Sequence, residues 1–208
     1  MKIILRFGYL FSLFVLFLLF FIRYVEANHG PGTGGAAITI PAITLKSGTF
    51  SLGLRTELTE FESISHSKLL DKAVKAGSFD AVDRTFLHTF DIGYGVTDDL
   101  SIGLTIGWFE AINFRESELE DDEIEVFRAD PDGITDLWLS GKYRFLRGPQ
   151  GHYAILAGVK FPTGVDDRKN NAGEKIEAVE QPGSGAYDFA TGFAYSRWFT
   201  NDWTMDTS

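Results

Sequence analysis

Residues 85–108 read TFLHTFDIGYGVTDDLSIGLTIGW, and the fold class follows from them. Phe86, Phe90, Ile92, Tyr94 and Val96 alternate with Thr85, Thr89, Asp91, Gly93 and Gly95. After Thr97-Asp98-Asp99 the pattern restarts, with Leu100, Ile102, Leu104, Ile106 and Trp108 set against Ser101, Gly103, Thr105 and Gly107. A period of two belongs to strands with unlike faces, whereas helices repeat every 3.6 residues. The break between the runs is rich in turn formers. The stretch therefore predicts an antiparallel hairpin whose strands are about ten residues long, the length a tilted membrane strand needs.

Outward from this hairpin the same grammar recurs. Phe50, Leu52, Leu54 and Leu58 alternate with Ser51, Gly53, Arg55 and Glu57. Leu137, Leu139, Tyr143 and Phe145 face Asp136, Ser140, Lys142 and Arg144, and Tyr153, Ile155, Val159 and Phe161 face Ala154, Gly158 and Lys160. A sixth run sets Tyr187, Phe189, Phe193 and Tyr195 against Asp188, Ala190, Gly192, Ala194 and Ser196. Short turns at 97–99, 147–151 and 200–202 alternate with long links at 59–83, 110–133 and 164–185. Strict alternation of short and long connections is the habit of transmembrane barrels. The bulky rows suit lipid, and the small and charged rows suit a lumen. Tyr94, Tyr143, Phe145 and Phe199 lie beside the short turns, while Trp108, Phe161 and Tyr187 lie beside the long links, as interface girdles require. Arg197, on a bulky row near a turn, extends its head to the interface.

The ends of the chain add context. Lys2 and Arg6 precede an uncharged, Leu- and Phe-rich run at 7–22, and Val25-Glu26-Ala27 fits a signal-peptidase site. We expect residues 1–27 to be a cleaved signal peptide, 28–48 a Gly-rich lead-in, and 49–208 the barrel. The start of the lead-in, NHGPGTGG, lacks the Lys-Ser/Thr of a phosphate loop and is expected to be flexible. Six full strands and the start of a seventh fall short of the usual minimum of about eight for a single-chain barrel. The chain is thus expected to be the amino-terminal part of a longer barrel; the lesser possibility is strand pairing between subunits.

Composition narrows the function classes. The net charge of −10 argues against nucleic acid, which is bound through clustered Lys and Arg. The absence of cysteine excludes disulfides and thiolate metal sites. A hydrophobic content of 44% argues against disorder.

Four phrases in order, YGVTDDLSIG at 94–103, DLWLSGKYRF at 136–145, GVKFPTG at 158–164 and PGSGAYD at 182–188, resemble an outer-membrane transporter family of phenol meta-pathway degradation proteins. The resemblance covers about residues 85–200. It implies an outer-membrane β-barrel pore or carrier of Gram-negative type, for aromatic or other hydrophobic molecules, and brings no catalytic residues with it. Members of that family continue through further strands, where this chain stops.

Read from the residues, Arg55, Asp91, Asp136, Lys142, Arg144, Lys160 and Asp188 lie on the small rows. They either set a field along a substrate path or fill the interior with salt bridges. Glu116, Glu118, Glu120, Asp121, Asp122, Glu123 and Glu125 form an acidic external loop. It lacks the central glycine of a calcium loop and is read as solvated, with no metal. His88, alone on a bulky row, has no serine beside it and predicts no catalysis. His29, His66 and His152 are read as solvated in the lead-in, a loop and a turn. No cofactor is expected. The expected partners are outer-membrane lipid, the barrel-assembly machinery and a small molecule of unknown identity. Two other readings stay open: a filled structural or adhesive barrel, and an exported soluble β-sandwich that binds a ligand.

Overall fold

A computed structural model describes residues 39–120, 123–199 and 203–208. The expected signal peptide at 1–27, residues 28–38 of the lead-in with His29, and the expected 200–202 turn lie outside the described residues.

The main sheet is an antiparallel meander. Strands β1 (Phe50–Glu60), β3 (Arg84–Thr97), β4 (Leu100–Ile112), β8 (Leu137–Gly148), β9 (Gly151–Phe161), β10 (Asp188–Trp198) and β11 (Thr204–Thr207) follow one another in that spatial order. The short β7 (Asp132–Ile134) joins beside β4. The sheet curls into a half-barrel with β1 and β11 at its edges. All six alternating runs are strands, and the central hairpin pairs Gly93 with Gly103 and Ile92 with Leu104. This single curled sheet, not two stacked sheets, sets aside the sandwich. No helix among the described residues is long and apolar enough to cross a membrane.

Exposure sorts the two rows as the pattern predicts. Leu54, Phe189, Ile155 and Leu104 are exposed on the bulky rows, while Ser101, Lys142, Ala154, Ala194 and Ser196 on the small rows are buried. Aromatic contacts gather near the short turns: Tyr153 lies 4.8 Å from Tyr195, Phe145 6.0 Å from Phe193, and Phe50 4.7 Å from Tyr94. Arg197 sits over the Phe199 ring at 5.0 Å, the apolar-row arginine turned onto an aromatic neighbour.

Two of the long links are corrected by the structure. The 59–83 link contains a helix, α1 (His66–Ala76), and strand β2 (Ser78–Ala81); the 110–133 link contains strands β5 (Phe114–Glu120) and β6 (Glu123–Ala129). These strands form a separate sheet in the order β2, β5, β6. Ser65 caps α1 by accepting the Lys68 N–H, and Gly77 ends it at φ 87°, donating to the Ala73 carbonyl. Leu69 and Ala73, four residues apart, are the buried stripe of α1, which packs on β2 and β5. His66 therefore begins a helix and does not lie in a loop. The 164–185 link folds on itself: the Gln181 side-chain amide donates to the Arg168 and Ile176 carbonyls.

Candidate functional site

The inward face of the half-barrel is where the structure concentrates polar chemistry. Residues 39–48 cross it as a strap near the short-turn end. The Leu45 N–H donates to Ser101 Oγ on β4 and the Ala42 N–H to Ser196 Oγ on β10, both at 2.8 Å and both buried. Lys142 Nζ on β8 donates to the Pro41 carbonyl at 3.0 Å, and the Gly48 N–H donates to the Gly95 carbonyl on β3 at 2.8 Å. Ala42 packs against Ala154 and Ala194. Small residues on the inward rows leave room for a backbone, and serine hydroxyls satisfy its amides where no water reaches. Gly95 shows how close the approach is: a Cβ there would lie 2.0 Å from the Lys46 carbonyl oxygen.

The seven charged residues predicted to line a path separate into groups. At the long-link end, Lys160 pairs with Asp188 and lies 3.8 Å from Asp136. Asp136 also accepts from the Gly164 N–H at 2.9 Å, the Ser184 N–H at 2.8 Å and Ser184 Oγ at 2.7 Å, which fastens the 164–185 link over the sheet. At the short-turn end, Arg144 donates to Asp99 and to the Asp98 carbonyl. Asp91 accepts from the Thr105 hydroxyl. Arg55 is exposed on the edge strand, 3.7 Å from Glu57. Lys142 is buried with no carboxylate within salt-bridge distance among the described residues. Most of this set is internal pairing; Lys142 stands apart.

Beside Lys142 and above the strap is a cavity of about 390 Å³. Its apolar lining includes Ile40, Trp138 and Leu156, and its polar lining includes Thr105, Lys142 and Thr191. Sequence reasoning passed over Trp138 and Leu156 because it followed the small residues of their rows. The available signal was the exception: a tryptophan and a leucine on inward rows otherwise built from small or charged residues.

The acidic segment is a strand pair and not a loop, with Glu118 and Glu125 exposed as expected. Glu116, Glu118 and Glu120 are in β5 and Glu123 and Glu125 in β6, with Glu118 directly opposite Glu125. Asp121 and Asp122, and the side chains of Glu120 and Glu123, lie outside the described residues. Asp80 pairs across from Glu116, and burial followed by repulsion from Glu177 and Glu118 raises the Asp80 carboxyl above its ordinary value. Glu116 and Glu180 are raised too, first by burial and then by Asp80 and other neighbouring acids. No group of three or more potential ligands has metal-holding geometry among the described residues.

The histidines are held locally. His88 Nδ1 and Thr56 Oγ1 lie 2.9 Å apart, and His152, the second residue of β9 and not in the turn expected of it, meets the Trp198 ring edge-on at 5.0 Å.

Residues 118–208 match the family described as "Putative MetA-pathway of phenol degradation". This is the family that the sequence phrases resemble. The phenol-degradation match takes in β8 to β11, and with them Trp138, Lys142 and the cavity wall; the YGVTDDLSIG phrase lies before it. No curated protein and no solved structure matches the chain.

Proposed function

We propose that the chain forms the wall of an outer-membrane pore or carrier for small apolar molecules, aromatic ones among them, and that the 39–48 strap gates it. The observation that carries the reading is the division of the sheet into an exposed apolar face and a buried polar face crossed by the strap. A sheet bathed in water on its outer face has no reason to expose Leu54, Leu104, Ile155 and Phe189 together. In lipid those rows are matched to their solvent, and the inward rows enclose the route. The family's description supports aromatic molecules as the substance handled. The amides at the edges β1 and β11 must be paired in hydrocarbon, so the conducting state is the closed one.

The second reading, a filled barrel that passes nothing, is favoured by the strap and by the salt bridges around Asp136 and Arg144. One experiment separates the two. The chain has no cysteine, so a pair introduced as Ala42→Cys and Ala194→Cys is unique. In liposomes, oxidation is expected to suppress flux of a small aromatic tracer and reduction to restore it. Equal, background-level flux in both states sinks the pore reading and leaves the filled barrel.

A further inference from the structure

We infer that the cavity between the strap and strands β8 to β10 binds a planar aromatic monocarboxylate of about benzoate size. The inference rests on the inward face being the path for small molecules, and it names the class of molecule that stops there.

The cavity's shape comes from missing side chains. Gly158 and Gly192, on the inward rows, contribute none, and a Cβ on Gly158 would lie 3.4 Å from the Trp138 ring. What remains is a slot with an indole on one wall, Leu156 on another and Ile40 of the strap beneath. A volume of about 390 Å³ falls at the lower end of small-molecule sites, the size for one ring and a substituent. An indole wall favours a flat π-system through offset stacking.

The charge comes from Lys142. Its ammonium has three donors and one protein acceptor, the Pro41 carbonyl. The nearby cation Arg144 is already bonded to Asp99 and Asp98. Asp206, which attracts Lys142 from beyond salt-bridge distance, accepts from Ser196. A buried ammonium with no carboxylate in contact is unfavourable, and a carboxylate in the slot supplies that contact. One cation calls for one negative charge, and Lys142 meets it from the β8 wall of the slot. A neutral ring fills the slot but leaves the charge uncompensated; a small aliphatic acid meets the charge but leaves the indole uncovered.

The test is calorimetric titration of the full chain in detergent with benzoate, benzyl alcohol and acetate, with tracer flux measured separately in liposomes. Benzoate is expected to bind at least tenfold more tightly than either comparison ligand. Lys142→Met should cost benzoate at least tenfold more than it costs benzyl alcohol. Gly158→Leu, which fills the slot from the β9 wall, should abolish binding of both. Circular dichroism establishes that each variant is folded, and if Lys142→Met does not fold, Gly158→Leu decides. Equal affinity for benzoate and benzyl alcohol, or unchanged benzoate binding in folded Gly158→Leu, overturns the site. Flux without saturable benzoate binding also overturns it while leaving the transport reading intact. Saturable, Gly158-dependent benzoate binding without flux upholds the site and overturns transport.

Discussion

Gly95 is where a single atom decides whether the strap fits. An added Cβ would occupy the space of the Lys46 carbonyl oxygen, 2.0 Å away, and that oxygen belongs to a backbone held on both sides. Gly95→Ala must therefore lift the strap or shift β3, at a cost of about 1–3 kcal/mol, the usual range for overpacking. Lys46 is exposed and supplies its own reporter, since trypsin cuts after it. Faster cleavage at Lys46 in Gly95→Ala is expected; an unchanged rate means that the strap is not held there. Asp136 makes a second prediction. Its carboxylate gathers three donors from Gly164 and Ser184. Asp136→Asn turns one acceptor into a donor facing donors, which should cost about 2–4 kcal/mol and raise amide exchange at Gly164 and Ser184. Protection unchanged at both amides would show that the link is fastened elsewhere. In the sequence Asp136 was legible as an inward charge, and Gly95 as a small residue of an inward row. Why Gly95 must be glycine was not, because the obstacle is a backbone segment some fifty residues earlier.

Among the elements, the sheet of β2, β5 and β6 is the one least visible from sequence. Its acids read as a solvated run because charge dominates the local signal, and Glu118 opposite Glu125 works against the pairing. Burial of the other face compensates: Ser117 is buried, α1 covers it, and Lys72 lies over the Phe79 ring at 4.1 Å. The helix was written in the chain, with Ser65 and Gly77 at its ends and Leu69 and Ala73 one turn apart, but eleven residues inside a link are easily taken for a connection. The main strands were legible because six runs share one period, so each supports the others. The acidic face carries a pH prediction. Asp80, Glu116 and Glu180 have folded-state values raised above their ordinary 3.8, 4.5 and 4.5. For a carboxyl raised on folding, the folded form binds protons more tightly, so stability grows as pH falls from neutral through the raised values. Glu62, lowered chiefly by its bond with Lys68, acts in the opposite direction, losing its contribution as pH falls through its lowered value. As pH falls from neutral through the raised values, amide protection factors in β5 and β6, each taken relative to the intrinsic exchange rate at that pH, should rise, and Glu116→Gln should raise them already at neutral pH. Protection factors that fall on acidification would mean that the repulsion among these acids does not govern the sheet.

For the molecule as a whole, the outcome turns on which solvent meets each face of the curled sheet. The rows carrying Leu104 and Ile155 are exposed, while their neighbours Gly103 and Ala154 are buried on the inward side. In water, such a continuous apolar face would drive association; in a bilayer it is the matched surface, with aromatic clusters at the short-turn end and the Phe161–Tyr187 pair at 5.9 Å at the other. The two environments make opposite demands on an arginine at position 104. Leu104→Arg near the bilayer midplane should cost about 2–4 kcal/mol of folding stability in lipid, whereas on a water-facing surface the same change stays within about ±0.5 kcal/mol. Spin labels resolve the direction independently. A label at Leu104 or Ile155 should be broadened by oxygen and shielded from a water-soluble nickel complex, and one at Gly103 should show less contact with oxygen. Nickel reaching Leu104 as readily as a fully exposed turn residue, together with a neutral Leu104→Arg, would mean that water and not lipid covers the outer rows, and the pore reading would fall with the membrane.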